Sequence, residues 1–304
     1  MGVRAALSKV CLYVIIGYHT MHGLFMMEGN LVMEKAWNTK NNGLGYFGDE
    51  LAVQYILFIL RIGGIAEVLF SLGALIIGDT KMCFSLLAIG TYGATASFSR
   101  DVSAMVTLAK LNQVHQENVS NERFVFFGAL IVNYIGLICA SGKQKDEKLV
   151  RSKSGFVNHI LILSMFIEVA VWGYVLLDTV GNFVQLQPTM DMKMFEKSFT
   201  TEGEWMFATL TGIFVANMFT LAAIVITLKP TSKAVMLSML FHGVVAAFLF
   251  VLKLNSDETV KDSASRENIE AFAIQGVITH VVLAALLFGC LIIDGRTREK
   301  SKAE

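Results

Sequence analysis

The chain has 304 residues, of which 54% are hydrophobic and only 16% are charged, and its formal net charge is zero. A soluble globular protein carries roughly 25% charged residues, so this chain lacks the polar surface that a water-soluble fold needs. The composition therefore argues against an ordinary soluble domain and favours a membrane protein, with the lipid bilayer as a partner and no nucleic acid.

Apolar blocks recur along the whole chain, and a helix needs about 20 apolar residues to cross a bilayer core. None of the blocks alternates apolar with polar residues, so strands are not expected. Helices also satisfy every backbone polar group within lipid. The predicted helices are, in chain order, Val10–Glu28, Leu51–Gly78, Met82–Ser99, Arg123–Ala140, Gly155–Leu177, Trp205–Leu228, Ala234–Leu252 and Ala271–Ile293. We therefore expect an all-α integral membrane protein with eight transmembrane helices.

The loops on the two sides of this predicted bundle differ in charge. The amino end, the 79–81, 141–154 and 229–233 connections and the tail carry fourteen Lys or Arg residues and six acids. The opposite face carries ten basic and seventeen acidic residues. Because positive charge marks the cytosolic side, both termini are expected in the cytosol. The only glycosylation sequon begins at Asn118, in a predicted loop of the opposite, lumenal face, which agrees with this orientation.

The order of helices and loops repeats once along the chain. Each half runs helix, long lumenal loop, helix, tight basic turn, helix, lumenal loop, helix, and a shift of 152 residues places Lys81 on Lys233. The predicted domains are residues 1–150 and 151–304, two tandem four-helix repeats, the second with a cytosolic basic tail. An even number of helices in each half makes the repeats parallel and not inverted.

Ionisable residues inside the predicted spans are the main candidates for function. A charge at the bilayer centre costs at least about 2.5–3.5 kcal/mol, so each one needs a partner or a polar cavity. Counting 1.5 Å per residue puts several of them roughly 15–20 Å from the cytosolic helix ends. The predicted intramembrane layer consists of Glu67, Glu168, His19, His22 and His280, with Arg61 nearby and expected to snorkel outward, and with His242 at a shallower depth.

Several interpretations of this layer stay open. In the first, its residues form hydrogen bonds between helices and hold the bundle together. In the second, they line a cavity for a small molecule, an ion or a peptide segment. In the third, His22 and His280 hold a haem. No metal site is expected, because the four cysteines stand alone in apolar blocks and no Cys/His ligand spacing occurs. No nucleophile–base pair or phosphate loop is present either, so an enzyme is the least favoured class.

The last five residues read KSKAE, with Lys300 and Lys302 at the fifth and third positions from the carboxyl end. This spacing matches the dilysine retrieval signal that coatomer reads on membrane proteins of the endoplasmic reticulum, an address and not an anchor. The interpretation expects a tail that is extended from Arg296 onward. The alternative is an ordinary basic flank of the last helix.

Residues 61–67 (RIGGIAE), followed by 75–78 (LIIG) and a short basic turn, resemble the DoxX-like membrane superfamily, in which a Gly-rich helix often bears a glutamate. A fused pair of such units with a cytosolic lysine signal is similar to the Surfeit-type cargo receptors of the early secretory pathway. The second half departs from the pattern, because Ile213 and Phe219 stand where the arginine and the glutamate would be.

The leading expectation is a non-enzymatic membrane protein of the endoplasmic reticulum that handles other proteins, as a cargo receptor or an assembly factor. The resemblance and the tail imply cargo or membrane proteins and coatomer as its partners. One alternative is an accessory subunit of a larger membrane complex. Another is a small-molecule or ion carrier that uses the Glu/His layer, and this alternative predicts a continuous polar path through Glu67 and Glu168.

Overall fold

The computed structural model describes residues 2–29, 50–108, 113–140, 155–168, 170, 201–228, 232–259 and 263–303. These residues contain eight helices and no strand. The helices are α1 Val3–Met27, α2 Glu50–Ile77, α3 Lys81–Leu108, α4 Gln113–Cys139, α5 Gly155–Glu168, α6 Thr201–Leu228, α7 Ser232–Thr259 and α8 Ser263–Ala303. Each predicted apolar block coincides with one of these helices over most of its described residues, so the all-helical prediction is confirmed.

Four helical segments of the described chain are long and apolar enough to cross a membrane: Val3–Met27, Leu57–Ile77, Lys233–Leu254 and Ala273–Ile293. The apolar parts of three other helices are shorter: Phe124–Cys139, Gly155–Glu168 and Gly212–Leu228. The structure therefore agrees with a membrane protein. Four of the eight predicted spans have the length and composition of a membrane-spanning helix.

Apolar residues cover the outside of these helices as well as the inside. On α8, Leu283 and Leu287 are buried, whereas Val282, Leu286 and Phe288 on its other faces are exposed. A helix at the surface of a soluble protein has one apolar stripe and a polar opposite face. Apolar residues all round the helix are typical of a helix that lies in lipid.

The connection between α2 and α3 shows how local sequence ends one helix and starts the next. Gly78 has φ +81°, a left-handed conformation that suits glycine, and its N–H donates to the carbonyl of Ala74 at 2.9 Å. The hydroxyl of Thr80 then accepts the N–H of Cys83 at 3.1 Å and caps α3. The tight turn predicted at 79–81 is thus present, and it joins the end of α2 directly to the start of α3.

The chain forms two compact units. Unit 1 comprises Met1–Gln144 and Val171–Thr220, and unit 2 comprises Lys145–Ala170 and Leu221–Glu304. In unit 1, α1 packs against α2 and α4, and α3 packs against α4 and α2. In unit 2, α7 packs against α8. The helix α6 begins in unit 1 and ends in unit 2.

Two local expectations are wrong. The sequon at Asn118 lies within α4 and not in a loop, because the helix begins at Gln113 and no Gly or Pro interrupts its polar first turns. The tail after Arg296 is helical to Ala303 and not extended. Its residues are mostly good helix formers, so the helix continues well beyond the apolar span.

Candidate functional site

Glu67 is buried inside unit 1 on the apolar helix α2, with 1% of its surface exposed. Hydrogen bonds of 2.7 Å join His19 Nδ1 to its Oε1 and His22 Nδ1 to its Oε2. The two histidines are three residues apart on α1 and therefore share one face of that helix. Asn217 Nδ2, from α6, donates to Oε2 at 3.1 Å and to the Gly63 carbonyl at 3.3 Å. Each carboxylate oxygen thus has at least one nitrogen partner.

A further hydrogen bond connects His19 to α3. Its Nε2 lies 2.9 Å from Thr91 Oγ1, while the Thr91 hydroxyl donates to the carbonyl of Leu87 at 3.0 Å. A hydroxyl has a single proton, so Thr91 accepts from the Nε2–H of His19. The contact of 2.7 Å with Glu67 has the length of a charge-assisted hydrogen bond. We call these residues the Glu67 cluster: Glu67, His19, His22, Thr91 and Asn217.

Glycines bring α1 and α2 to backbone contact beside this cluster. A Cβ added to Gly23 would lie 2.7 Å from the carbonyl oxygen of Gly64 and 3.1 Å from Glu67 Cβ. A Cβ added to Gly64 would collide with the Gly23 carbonyl. Small residues at helix crossings permit such close approach in membranes. Because Gly23 follows His22 directly in the sequence, this close contact places the imidazoles of His19 and His22 beside the Glu67 carboxylate.

Close helix contact at glycines also positions α6 against α3. A Cβ added to Gly90 would lie 3.0 Å from Thr220 Oγ1, and one added to Gly93 would collide with Ala216. Asn217 lies between these two α6 residues in the sequence. The close crossing therefore brings its amide within reach of the carboxylate.

Aromatic rings flank the two histidines, but the histidines differ in exposure. The ring centroid of Phe70 lies 4.9 Å from that of His19, and the ring centroid of Phe126 on α4 lies 5.1 Å from that of His22. The His19 side chain is 1% exposed, whereas the His22 side chain is 20% exposed. The Glu67 cluster is thus closed at its His19 end and partly open at its His22 end.

A second buried cluster lies in unit 2, and we call it the Glu168 cluster. Glu168 lies on α5, His242 on α7 and His280 on α8; they are 4%, 0% and 8% exposed. The Nδ1 atoms of the two histidines are 3.0 Å apart, and each lies 3.5 Å from Glu168 Oε1. A hydrogen bond of 3.2 Å between Ser164 and Ser238 holds α5 against α7 one turn away.

The two clusters support different chemistry. In the Glu67 cluster the contacts are pairwise hydrogen bonds of 2.7–3.1 Å, so each carboxylate oxygen already has its own nitrogen partner. In the Glu168 cluster, three atoms that can each bind a cation converge within 4.8 Å of one another. Over the described part of the chain, this is the one group of three His, Cys, Asp or Glu residues with metal-ligand spacing.

The predicted intramembrane layer is thus distributed between two clusters. Arg61 lies outside both: it is half-buried on α2, and the described hydrogen bonds of Glu67 go to other residues. His22 and His280, the two residues of the haem interpretation, belong to different units. The remaining predicted site residues lie on helical backbone, Asn118 in α4 and Lys300 and Lys302 in α8.

Sequence reasoning missed Thr91 and Asn217 and placed His242 outside the predicted layer. The signal for Asn217 is its amide in the apolar run of α6, because a lone polar residue in a membrane helix often faces a neighbouring helix. Thr91 has no such signal, since its hydroxyl also bonds within its own helix. The residues of the Glu168 cluster lie on three helices far apart in the chain, so no ligand motif points to them.

Comparisons of the chain with family models, curated proteins and solved structures find no match. The DoxX-like and Surfeit-type resemblance therefore stays a prediction, and function is argued from the geometry of the two clusters.

Proposed function

We propose that this protein is a proton-linked membrane carrier in which Glu67 binds and releases the proton. One observation carries the proposal: both oxygens of a carboxyl group within a candidate membrane span are hydrogen-bonded to histidines. Glutamates and histidines in membrane helices form the proton relays of pumps and transporters. The proposal thus develops the carrier alternative raised by the sequence.

Ionisable groups are a costly way to hold helices together. A charge at the bilayer centre costs at least about 2.5–3.5 kcal/mol, whereas a hydrogen bond between membrane helices contributes about 0.6–2 kcal/mol. Asn217 in the same cluster bridges two helices with a neutral amide. A neutral amide is therefore enough to join two helices, and a glutamate with two histidines is not needed for that purpose. The presence of these ionisable groups supports a role in proton binding.

Proton binding changes the hydrogen bonds that Glu67 can make. An ionised carboxylate only accepts, whereas a protonated one carries an O–H donor. A proton on Oε2 would face the N–H groups of His22 and Asn217, so either His22 Nδ1 switches from donor to acceptor or one of these contacts breaks. Because His22 belongs to α1 and Asn217 to α6, the proton is coupled to the packing of both helices on α2. A carrier needs such a coupling between ligand and conformation.

The surroundings of this carboxylate suggest a direction for the proton. Among the described residues, the titratable groups hydrogen-bonded to it are His19 and His22, both from α1, while α3 and α6 contribute Thr91 and Asn217, which do not titrate. The ring of Phe126 covers His22 from α4. Since His22 is the more exposed histidine, we propose that the proton enters and leaves through it.

Infrared difference spectroscopy on the purified protein in lipid nanodiscs tests proton binding. As the pH is lowered, the parent should gain a C=O band of a buried carboxylic acid, and Glu67→Gln should lack that band. The matched control is Glu28→Gln, which changes an exposed glutamate that follows α1 and should keep the band. The same titrating band in parent and Glu67→Gln would exclude Glu67 as the proton site.

Proteoliposomes with a trapped pH-sensitive dye test transport separately. Under a K⁺ diffusion potential that is negative inside, the parent and Glu28→Gln should acidify the lumen faster than Glu67→Gln. Equal rates in parent and Glu67→Gln would contradict carrier function, while the infrared band would still report on proton binding.

A second proposal concerns location, and the tail supports it. We propose that Lys300 and Lys302 are read by coatomer and keep the protein in the endoplasmic reticulum and early secretory pathway, where it handles cargo proteins. Because α8 continues to Ala303, its last turn, whose final carbonyls lack helical partners, must unwind for an extended signal to be read. Changing both lysines to serine should move the protein to later compartments. The control changes Arg296 and Arg298 instead, and unchanged location of the lysine variant would refute the signal.

A further inference from the structure

We infer that the Glu168 cluster binds a divalent transition metal ion of the zinc class inside unit 2. This site is separate from the proposed proton site. It is formed by Glu168, His242 and His280, which α5, α7 and α8 bring together. The inference rests on the positions of three ligand atoms, on their burial and on the distances between them.

The three ligand atoms have the spacing of a tetrahedral site. They lie 3.0, 3.5 and 3.5 Å apart, and tetrahedral bonds of about 2.0–2.1 Å put ligand atoms about 3.3–3.4 Å apart. A point about 2.05 Å from all three atoms lies about 0.7 Å from their plane, which is one third of the bond length, as tetrahedral geometry requires. An octahedral ion would lie about 1.2 Å from the plane. The geometry therefore favours zinc-like coordination.

Of the three distances between the ligand atoms, only one has the length of a direct hydrogen bond. The Nδ1–Nδ1 distance of 3.0 Å suits an N–H···N bond, but the two 3.5 Å distances to Oε1 exceed the 2.7–3.2 Å that is usual for N–H···O bonds. A cation at the common point accepts a lone pair from all three atoms at once. In the Glu67 cluster, by contrast, each histidine faces its own carboxylate oxygen.

The burial of His242 is a second, independent observation. Its side chain is fully buried, yet its Nε2 has no hydrogen-bond partner among the described residues. A buried polar ring normally recovers its lost hydration through hydrogen bonds. Here the pairing of Nδ1 with His280 leaves the other nitrogen unpartnered. Coordination of a metal by Nδ1 would offset the cost of burying the His242 ring and would fix the proton of the neutral imidazole on Nε2.

The donor set indicates which ions the site takes. Two imidazoles and one carboxylate suit Zn²⁺ and its neighbours in the transition series, whereas Ca²⁺ and Mg²⁺ take oxygen ligands. Three protein ligands leave the fourth tetrahedral position to water. One carboxylate offsets one of the two charges of the ion, so the site is expected to prefer a fourth ligand that is an anion or a readily ionised water.

Cobalt and zinc binding to the full-length protein in nanodiscs tests the inference. After removal of metal by a chelator, the parent should bind one Co²⁺ per chain with the visible absorption of a tetrahedral ion. The Zn²⁺-loaded protein should show N/O ligands at about 2.0–2.1 Å with imidazole scattering in X-ray absorption. Either a parent that binds no metal or a sulfur ligand in its absorption spectrum would overturn the inference, and neither result depends on a variant that folds.

Variants then assign the ligands. Loss of an outer-shell partner weakens metal sites by about 10–100-fold, so loss of a direct ligand in Glu168→Gln or His242→Asn should weaken Co²⁺ binding at least tenfold. Matched controls are Glu267→Gln and His159→Asn, which change exposed residues of the same two types in unit 2. Full affinity in both ligand variants would overturn the assignment. Glu67→Gln should bind Co²⁺ like the parent, which separates this inference from the proton proposal.

Discussion

Replacing Gly23 with alanine tests whether the backbone contact between α1 and α2 holds the Glu67 cluster together. The new Cβ would lie 2.7 Å from the Gly64 carbonyl oxygen, where an ordinary contact begins at 3.4 Å. Overpacking of this kind forces the backbone to shift, here by about 0.7 Å. A shift of that size takes the 2.7 Å bonds from His19 and His22 to roughly 3.4 Å, beyond the hydrogen-bond range.

The expected cost of Gly23→Ala has two parts. Overpacking costs about 1–3 kcal/mol, and a lost hydrogen bond to a charged group costs about 1.5–3 kcal/mol. We therefore expect a loss of at least about 2 kcal/mol, which lowers the melting temperature on the order of 5 °C. Thermal unfolding in nanodiscs, followed by circular dichroism, measures this change.

Gly17→Ala is the matched control, because it lies on the same helix and a Cβ there meets nothing within 4 Å. Alanine is the better helix former by about 1 kcal/mol, so Gly17→Ala should melt at or slightly above the parent temperature. Equal melting temperatures for the two alanine variants would refute the argument that this glycine contact positions the histidines.

Three other predictions address the amide of the first cluster, the metal and the topology. Asn217→Ala removes two hydrogen bonds and should destabilise the protein by about 1–3 kcal/mol; an unchanged melting temperature would argue against them. Zn²⁺ at about 100 times its Kd should stabilise the parent by about 2.7 kcal/mol, and His280→Asn should lose this gain; equal gains would exclude His280 as a ligand. Tags at both termini should be open to protease on the cytosolic side of sealed microsomes, and protection of either tag would overturn the predicted topology.

The helices were predictable because each apolar block carries its own signal. The block Ala234–Leu252 is apolar without alternation, and the structure has helix over Ser232–Thr259. Helix ends were less predictable, because backbone hydrogen bonding continues into polar flanks that hydropathy leaves out. The helix α8 therefore extends through the whole basic tail, and α4 begins before the sequon at Asn118.

The sequence by itself determined that Glu67 and Glu168 lie in apolar helices and need polar partners, because the cost of placing a charge in lipid belongs to the residue and its span. Only the tertiary structure decided which partners they have. The pairing in unit 1 depends on the place where Gly23 meets Gly64. A glycine pair such as 63–64 indicates that a close neighbour fits there, but it does not specify which helix that neighbour belongs to. In unit 2, three residues from three helices converge on one point. Such convergence follows from the packing of helices that are distant in the chain, and no local pattern encodes it.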